Sequence, residues 1–296
     1  NQYSDVRAGG INPLVHFLGW GQFEGRLPKE PGSGTDSRKG ALTPYDSWIA
    51  LNELSESDVD ELKCKLEERS ARLPKISLIT PVYDTDRRLL EELVESVASQ
   101  IHEDWELCLV NDASPAPHVA PLLERFAKAD KRIRVRHLAE NGGISVATNA
   151  GVEIATGEII AFLDHDDLLR PDCVAELAIH YADHADADIV YSDDDKIDLK
   201  GRRYAPQFKP DWSPTLLLSW MYFSHVFSVR KEVFQRLGGF RPDFDGSQDY
   251  DFALRATEVA RHVGHIPKVL YHWRAVEGST ASGGDETILV AEDEES

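Results

Sequence analysis

No stretch of the 296-residue sequence approaches the roughly 18 consecutive apolar residues that a membrane-spanning helix needs, so the expectation is a soluble chain. Basic residues are few: 32 Lys and Arg stand against 52 Asp and Glu, a formal net charge of −20. That balance argues against a sequence-independent grip on nucleic acid or an anionic bilayer, both of which attract cationic side chains. A polyanionic ligand would need a local device such as a bound cation. Cysteine is also scarce. Cys64, Cys108 and Cys173 are too widely spaced to suggest a disulfide framework or a zinc knuckle, and their use fits a reducing, cytoplasmic setting. No GxGxxG follows the first strand and no GxxxxGK[ST] is present anywhere, which weakens dinucleotide and P-loop readings. A signal-peptide pattern is missing, the chain starts at Asn1 and it ends in the acidic "AEDEES", so it reads as an excerpt of a larger, multi-domain polypeptide.

What is present has an order. Residues 1–73 read as an N-terminal helical segment and linker, with apolar "INPLVHFLGW", a Gly- and Ser-rich stretch, and one or two helices between Pro44 and Leu73. Ser57 with Asp60 and Glu61 suits a helix start there. From Lys75 the hydrophobic period changes. "KISLITPVY", "WELCLVND", "IRVRHL" and "IIAFLD" read as strands, and three amphipathic helices separate them. Such alternation predicts right-handed crossovers and a mainly parallel α/β sheet flanked by helices, with ligands beyond the carboxyl ends of the strands. Those ends are Pro81-Val82-Tyr83-Asp84, Asn111-Asp112-Ala113-Ser114 and Asp164-His165-Asp166-Asp167.

Each acidic motif has a functional and a structural reading. Asp164 and Asp166, two apart at a strand end, can aim oxygen ligands the same way at a hard divalent ion, or can serve a turn before a helix starting at Pro171. Asp112 can accept hydrogen bonds from a base or ribose, or make an Asx-turn. Gly142 and Gly143 precede a helix and either offer free amides to a phosphate or simply turn the chain. Asp249 and Asp251, in the first turn of an amphipathic helix, either complement its dipole or supply a general base. "YSDDDKID", residues 191–198, reads as a solvated loop, with rim contacts to a sugar as the minority reading. Strand "PKVLYHWR" carries His272, an edge residue or a third metal ligand.

Taken in order, "ISLITPVYDT", "LCLVNDASP", "NGGISVATNAGVEIATGEIIAFLDHDD", "YSDDDKID", "FKPDWSPTLLLSWMYFSHVFSVRKEVF", "LGGFRPDFDGSQDYDFALRA" and "VLYHWR" resemble family 2 glycosyltransferases of the GT-A (Rossmann-like) fold. The resemblance covers about residues 74–285 as a catalytic domain, leaving 286–296 as an acidic tail. It implies a metal-dependent inverting enzyme of surface-polysaccharide (O-antigen or capsule-like) synthesis. The donor would be a UDP- or dTDP-sugar and the acceptor a glycan or lipid-linked glycan. It further implies nucleotide contacts from Pro81, Val82, Tyr83, Asp84, Asp112, Gly143, Ser145 and Asp164. Mn²⁺ or Mg²⁺ would be held by Asp164, Asp166 and His272, and Asp249 would be the base. Asp194, Trp220 and Gln248 would face the acceptor sugar. By strand alternation His165 should point away from the cleft and Asp167 should serve the turn. Gln248 departs from the family pattern, which has an acid before the base. The location implied is cytoplasmic, peripheral at the inner membrane face through parts outside this sequence. A second hypothesis is a catalytically silent sugar-nucleotide-binding scaffold. A third, a nucleotidyltransferase, requires a Gly-rich basic loop after the first strand, where Pro81-Val82-Tyr83-Asp84 stands instead.

Overall fold

The computed structural model describes residues 43–275; the apolar patch and linker expected before Thr43 and the acidic tail lie outside the described residues. Helices α1 (Pro44–Asn52) and α2 (Glu56–Glu68) come first. The start of α2 lies at Ser55, ahead of the expected Ser57. Ser55 has a carboxylate three residues on, and a reciprocal capping box forms: its hydroxyl accepts from the Asp58 amide while Asp58 accepts from the Ser55 amide.

The remaining elements alternate as the sequence predicts. They are β1 (Ile76–Val82), α3 (Arg87–Ala98), β2 (Trp105–Asn111), α4 (Val119–Ala129), β3 (Ile133–His137), α5 (Gly143–Ile154), β4 (Ile159–Phe162) and β5 (Leu168–Leu169). After these come α6 (Cys173–Asp183), β6 (Ala187–Ile197), β7 (Arg203–Gln207), α7 (Pro214–Leu217), β8 (Phe227–Arg230), α8 (Lys231–Arg236), α9 (Gln248–Thr257) and β9 (His262–Arg274). The nine strands form one sheet in the order β3-β2-β1-β4-β8-β6-β9-β5, with β7 on β6. Strands β3, β2, β1 and β4 pair in parallel, as does β6 with β9; β8, β5 and β7 run antiparallel to their neighbours.

Both faces of the sheet are covered, which explains the near-continuous apolar strands. Successive side chains alternate between two cores, so Leu78 packs with Leu90, Leu93, Leu107 and Leu177, while its neighbour Ile79 packs with Val152, Ile160, Phe227 and Phe252. One charged group is built into this frame. Glu106 of β2, 1% exposed, accepts from the Ser77 hydroxyl, from Thr156 and from the Gly157 amide, and Lys75 and Arg134 lie within 3.4 and 3.2 Å. Those donors outweigh the penalty of burial and hold its carboxyl down at about 2.

Candidate active site

The parallel register brings the carboxyl ends of β1, β2 and β4 to one rim. Two residues just beyond them, Asp84 (φ 49°) and Ala113 (φ 53°), sit in the left-handed region without being glycine. That conformation costs about 1–2 kcal/mol for an L-residue and is kept where the surroundings impose it. Ser114 does so here: its hydroxyl donates to the Val82 carbonyl, accepts from the Asp84 amide, and its own amide donates to Asn111 Oδ1. Tyr83 is left 47% exposed above the rim.

Asp112 is 3% exposed and accepts from the amides of Gly142 (2.8 Å) and Gly143 (3.0 Å). The amides expected to be free for a phosphate are therefore occupied by this carboxylate. A carboxylate has about four acceptor positions, so Asp112 retains capacity for a ligand donor. Gly143 needs to be glycine: its φ is +85° and a Cβ would stand 2.2 Å from Asp245 Oδ2. Asp245 in turn accepts from the amide of the fully buried Ser145, tying α5 to the loop before α9.

Beyond β4 the chain turns, so strand alternation no longer governs Asp164 to Asp167. Asp164, His165 and Asp166 all line a cavity of about 510 Å³ together with Pro81, Tyr83, Asp112 and Gly143. His165 thus faces the cleft rather than away from it. Asp167, expected to serve the turn, is fully buried and accepts from the Tyr271 hydroxyl (2.5 Å) and the Arg274 amide (2.6 Å). Burial at the cleft floor, together with the charges of Asp166 and Asp249, pushes the Asp164 carboxyl up to about 6. Burial and the neighbouring Asp164 and Asp166 push Asp167 up as well.

Among the described residues, Asp164, Asp167 and His225 are the group whose ligand atoms lie within 4.8 Å of one another. His225 stacks on Tyr271 with ring centroids 4.4 Å apart, places Nε2 3.7 Å from Asp164 Oδ2, and has a buried Nδ1 without a partner. Lys209 fixes its backbone by donating to the carbonyls of Phe223 and His225. Sequence reasoning missed His225; its only signal is a histidine between aromatics in "YFSHVF". Asp166 and His272 do not belong to that group. The His272 Nδ1 meets Asp195 Oδ1 at 2.5 Å, and Asp195 also accepts from Arg203 and from Tyr45 of α1.

"YSDDDKI" is a buried part of β6 and not a solvated loop, because each acid has a distant partner. Asp193 (4% exposed) meets His265, Asp194 (1%) pairs with Lys209 at 2.6 Å, and Asp195 (0%) holds His272. Asp194 is thereby withdrawn from the rim where acceptor contacts were expected.

Asp164 is shared with a second cavity of about 480 Å³, which Trp220, His225, Gln248, Asp249 and Trp273 also line. Asp249 lies in the first turn of α9, and one of its oxygens accepts from the Tyr250 amide. Gln248 folds back to accept from the Gly246 amide. Trp220, expected on the acceptor side, is 53% exposed, whereas the nearby Tyr222 is fully buried and Trp212 packs on the aromatic core.

The chain is similar to known proteins in sequence and in fold. The glycosyl transferase family 2 model matches residues 77–238. The O-antigen biosynthesis protein RfbC of Myxococcus xanthus is 41% identical over 242 residues, which is 82% of this chain and 19% of that protein. The chain therefore spans about a fifth of that relative's length. Among solved structures, S. aureus TarS 1-349 in complex with UDP-GlcNAc superposes with a TM-score of 0.60 at 22% identity, covering 70% of this chain and 60% of that one. The mannosyltransferase PcManGT from Pyrobaculum calidifontis, in complex with GDP-Man and Mn²⁺, gives 0.54 at 20% identity, covering 72% and 62%. The fold they share is GT-A, with the predicted mixed α/β sheet and flanking helices. With its family match extending over more than half of the chain, the chain belongs to glycosyl transferase family 2.

Proposed function

We propose that this domain is a metal-dependent inverting glycosyltransferase, moving a sugar from a nucleotide-sugar donor to a hydroxyl of a growing surface polysaccharide. The observation that carries the reading is the junction at Asp164, where a cavity lined by Asp112, His165 and Asp166 meets a cavity lined by Asp249. TarS with UDP-GlcNAc and the polysaccharide relative support a UDP- or dTDP-sugar and a glycan or lipid-linked acceptor. A reducing, cytoplasmic compartment, at the inner membrane face, belongs to the same proposal and is supported by three free cysteines. Among the described residues no helix is long and apolar enough to cross a membrane.

The donor set fits a divalent cation such as Mn²⁺ or Mg²⁺. Clustered carboxylates that burial and mutual repulsion drive toward protonation, with His225 Nε2 3.7 Å from Asp164 Oδ2, are relieved by one positive ion. Asp164, Asp167 and His225 would hold it, with Asp166 reaching from the nucleotide side, while the expected His272 is paired with Asp195. A bound ion supplies charge stabilisation for the departing diphosphate. The protein supplies the rest. Tyr83 and Asp112 border the nucleoside, and Pro81, Val82, Asp84, Gly143 and Ser145 shape its pocket. Asp249, in the second cavity, takes the proton of the acceptor hydroxyl as that oxygen attacks the anomeric carbon opposite the leaving group, which inverts the configuration. Trp220 and Gln248 stand at the acceptor mouth.

The test is transfer and slow donor hydrolysis over a panel of UDP- and dTDP-sugars. Turnover of at least one donor is expected. Binding of UDP without turnover of any donor would favour a silent scaffold, the reading for which Gln248 in place of an acid speaks.

A further inference from the structure

A buried ammonium sits behind the loop that carries His225. Lys209, two residues past β7, has a side chain 2% exposed, and its Nζ lies 2.6 Å from Asp194 Oδ2 of β6 and 2.6 Å from the carbonyls of Phe223 and His225. As a matter of stability alone, apolar side chains would fill such a place as well as a buried ion pair does. What the ammonium adds is directional, because it donates to the two carbonyls that flank a single residue, Ser224. Ser224 stands at φ 40°, in the left-handed region that a residue other than glycine keeps only where its surroundings impose it. On one side of it, Phe223 is fully buried and stacked on Tyr191 with ring centroids 4.5 Å apart. On the other, the Val226 amide donates to Ser192 Oγ and the Val226 carbonyl accepts from the Ser192 amide. Between these two anchors Lys209 ties the turn back to β6. That turn places His225 Nε2 3.7 Å from Asp164 Oδ2 and sets Ser224 and His225 on the wall of the second cavity, while Lys209 itself lines neither cavity.

We infer that Lys209 is a positioning residue for the cation: with Asp194 behind it, its ammonium holds the turn at residues 223–225 in the shape that presents His225 to Asp164 and Asp167. The acidic run of β6 thereby takes part in the site without reaching the cleft. The inference rests on the metal reading above and extends it to two residues that touch neither cation nor substrate.

Manganese titration followed by electron paramagnetic resonance tests it, beside calorimetry of UDP binding without metal as a measure of the intact fold. Removing Lys209 alone would leave the Asp194 carboxylate buried and unpaired, so the variant combines Lys209→Met with Asp194→Asn and removes both charges. It is expected to bind Mn²⁺ at least about tenfold more weakly, as loss of a group that orients a ligand does, with metal-free UDP binding unchanged. Adding His225→Gln to it should cost little further Mn²⁺ affinity, because substitutions that act through one ligand are not additive. Mn²⁺ affinity equal to the parent's, or losses that multiply with that of His225→Gln, would overturn the inference. A parallel loss of metal-free UDP binding would overturn it too, since Lys209 would then serve the fold as a whole. Unchanged Mn²⁺ binding in His225→Gln alone would instead bring down the ligand assignment, and this inference with it.

Discussion

Nε2 of His225 stands 3.7 Å from Oδ2 of Asp164, across the junction where the two cavities meet. The separation is too long for a hydrogen bond and leaves the two atoms facing each other with Asp167 close by. Facing donors of this kind suit a shared cation. Substituting His225→Gln is therefore expected to weaken Mn²⁺ binding by at least about tenfold, and His272→Gln to weaken it less, because His272 lies outside the Asp164, Asp167 and His225 group and its Nδ1 is taken by Asp195. Manganese titration followed by electron paramagnetic resonance compares them. A larger loss in His272→Gln would return the ligand role to that residue.

Asp249 is expected to matter for chemistry and little for nucleotide binding. Asp249→Asn keeps the size of the side chain and removes its ability to take a proton, so transfer should fall about 10²–10⁴-fold while the UDP affinity stays within a factor of a few. Steady-state transfer rates beside calorimetry measure both. Full transfer by the variant would remove Asp249 as base.

The parallel half of the sheet was legible because its signal is local: apolar runs such as "ISLITPV" end in turn residues, and amphipathic helices follow at regular spacing. The acids of β6 were not, because a run of Asp looks solvated until its partners are known. Those partners, Lys209, His265 and His272, come from other strands and loops. The same holds at Asp112, whose partners Gly142 and Gly143 lie thirty residues on. His225 carries no spacing that marks it as a ligand, and only the pairing of β8 with β4 and β6 brings the loop before it to Asp164.

Gly143→Ala should damage the nucleotide cavity. The left-handed φ of +85° costs an alanine about 1–2 kcal/mol, and its Cβ would displace Asp245 from the Ser145 amide. Weaker UDP binding is the expected outcome, with thermal stability lowered by a similar free energy. Unchanged UDP affinity would show that this loop does not shape the nucleotide site.

Glu106 gives the fold a defined acid sensitivity. Its carboxyl is held at about 2 against an ordinary 4.5, so the folded state favours the charged form. The stabilisation is complete above the unfolded value and is lost as pH falls from 4.5 toward about 2. Glu106→Gln should cost roughly 2–3 kcal/mol at neutral pH and flatten the pH dependence of stability across that window. Urea unfolding at stepped pH reads both. Parallel stability profiles for variant and parent would contradict this role.

The central claim is that donor chemistry depends on a cation held beside Asp164. It is tested most directly by donor hydrolysis measured on the protein stripped with chelator and then titrated with Mn²⁺, in parallel with Asp164→Asn. Activity is expected to vanish on stripping, to return with Mn²⁺ in the parent protein, and to stay at least about 10²-fold lower in Asp164→Asn at saturating metal. Undiminished hydrolysis without metal, or full recovery in Asp164→Asn, would contradict the account.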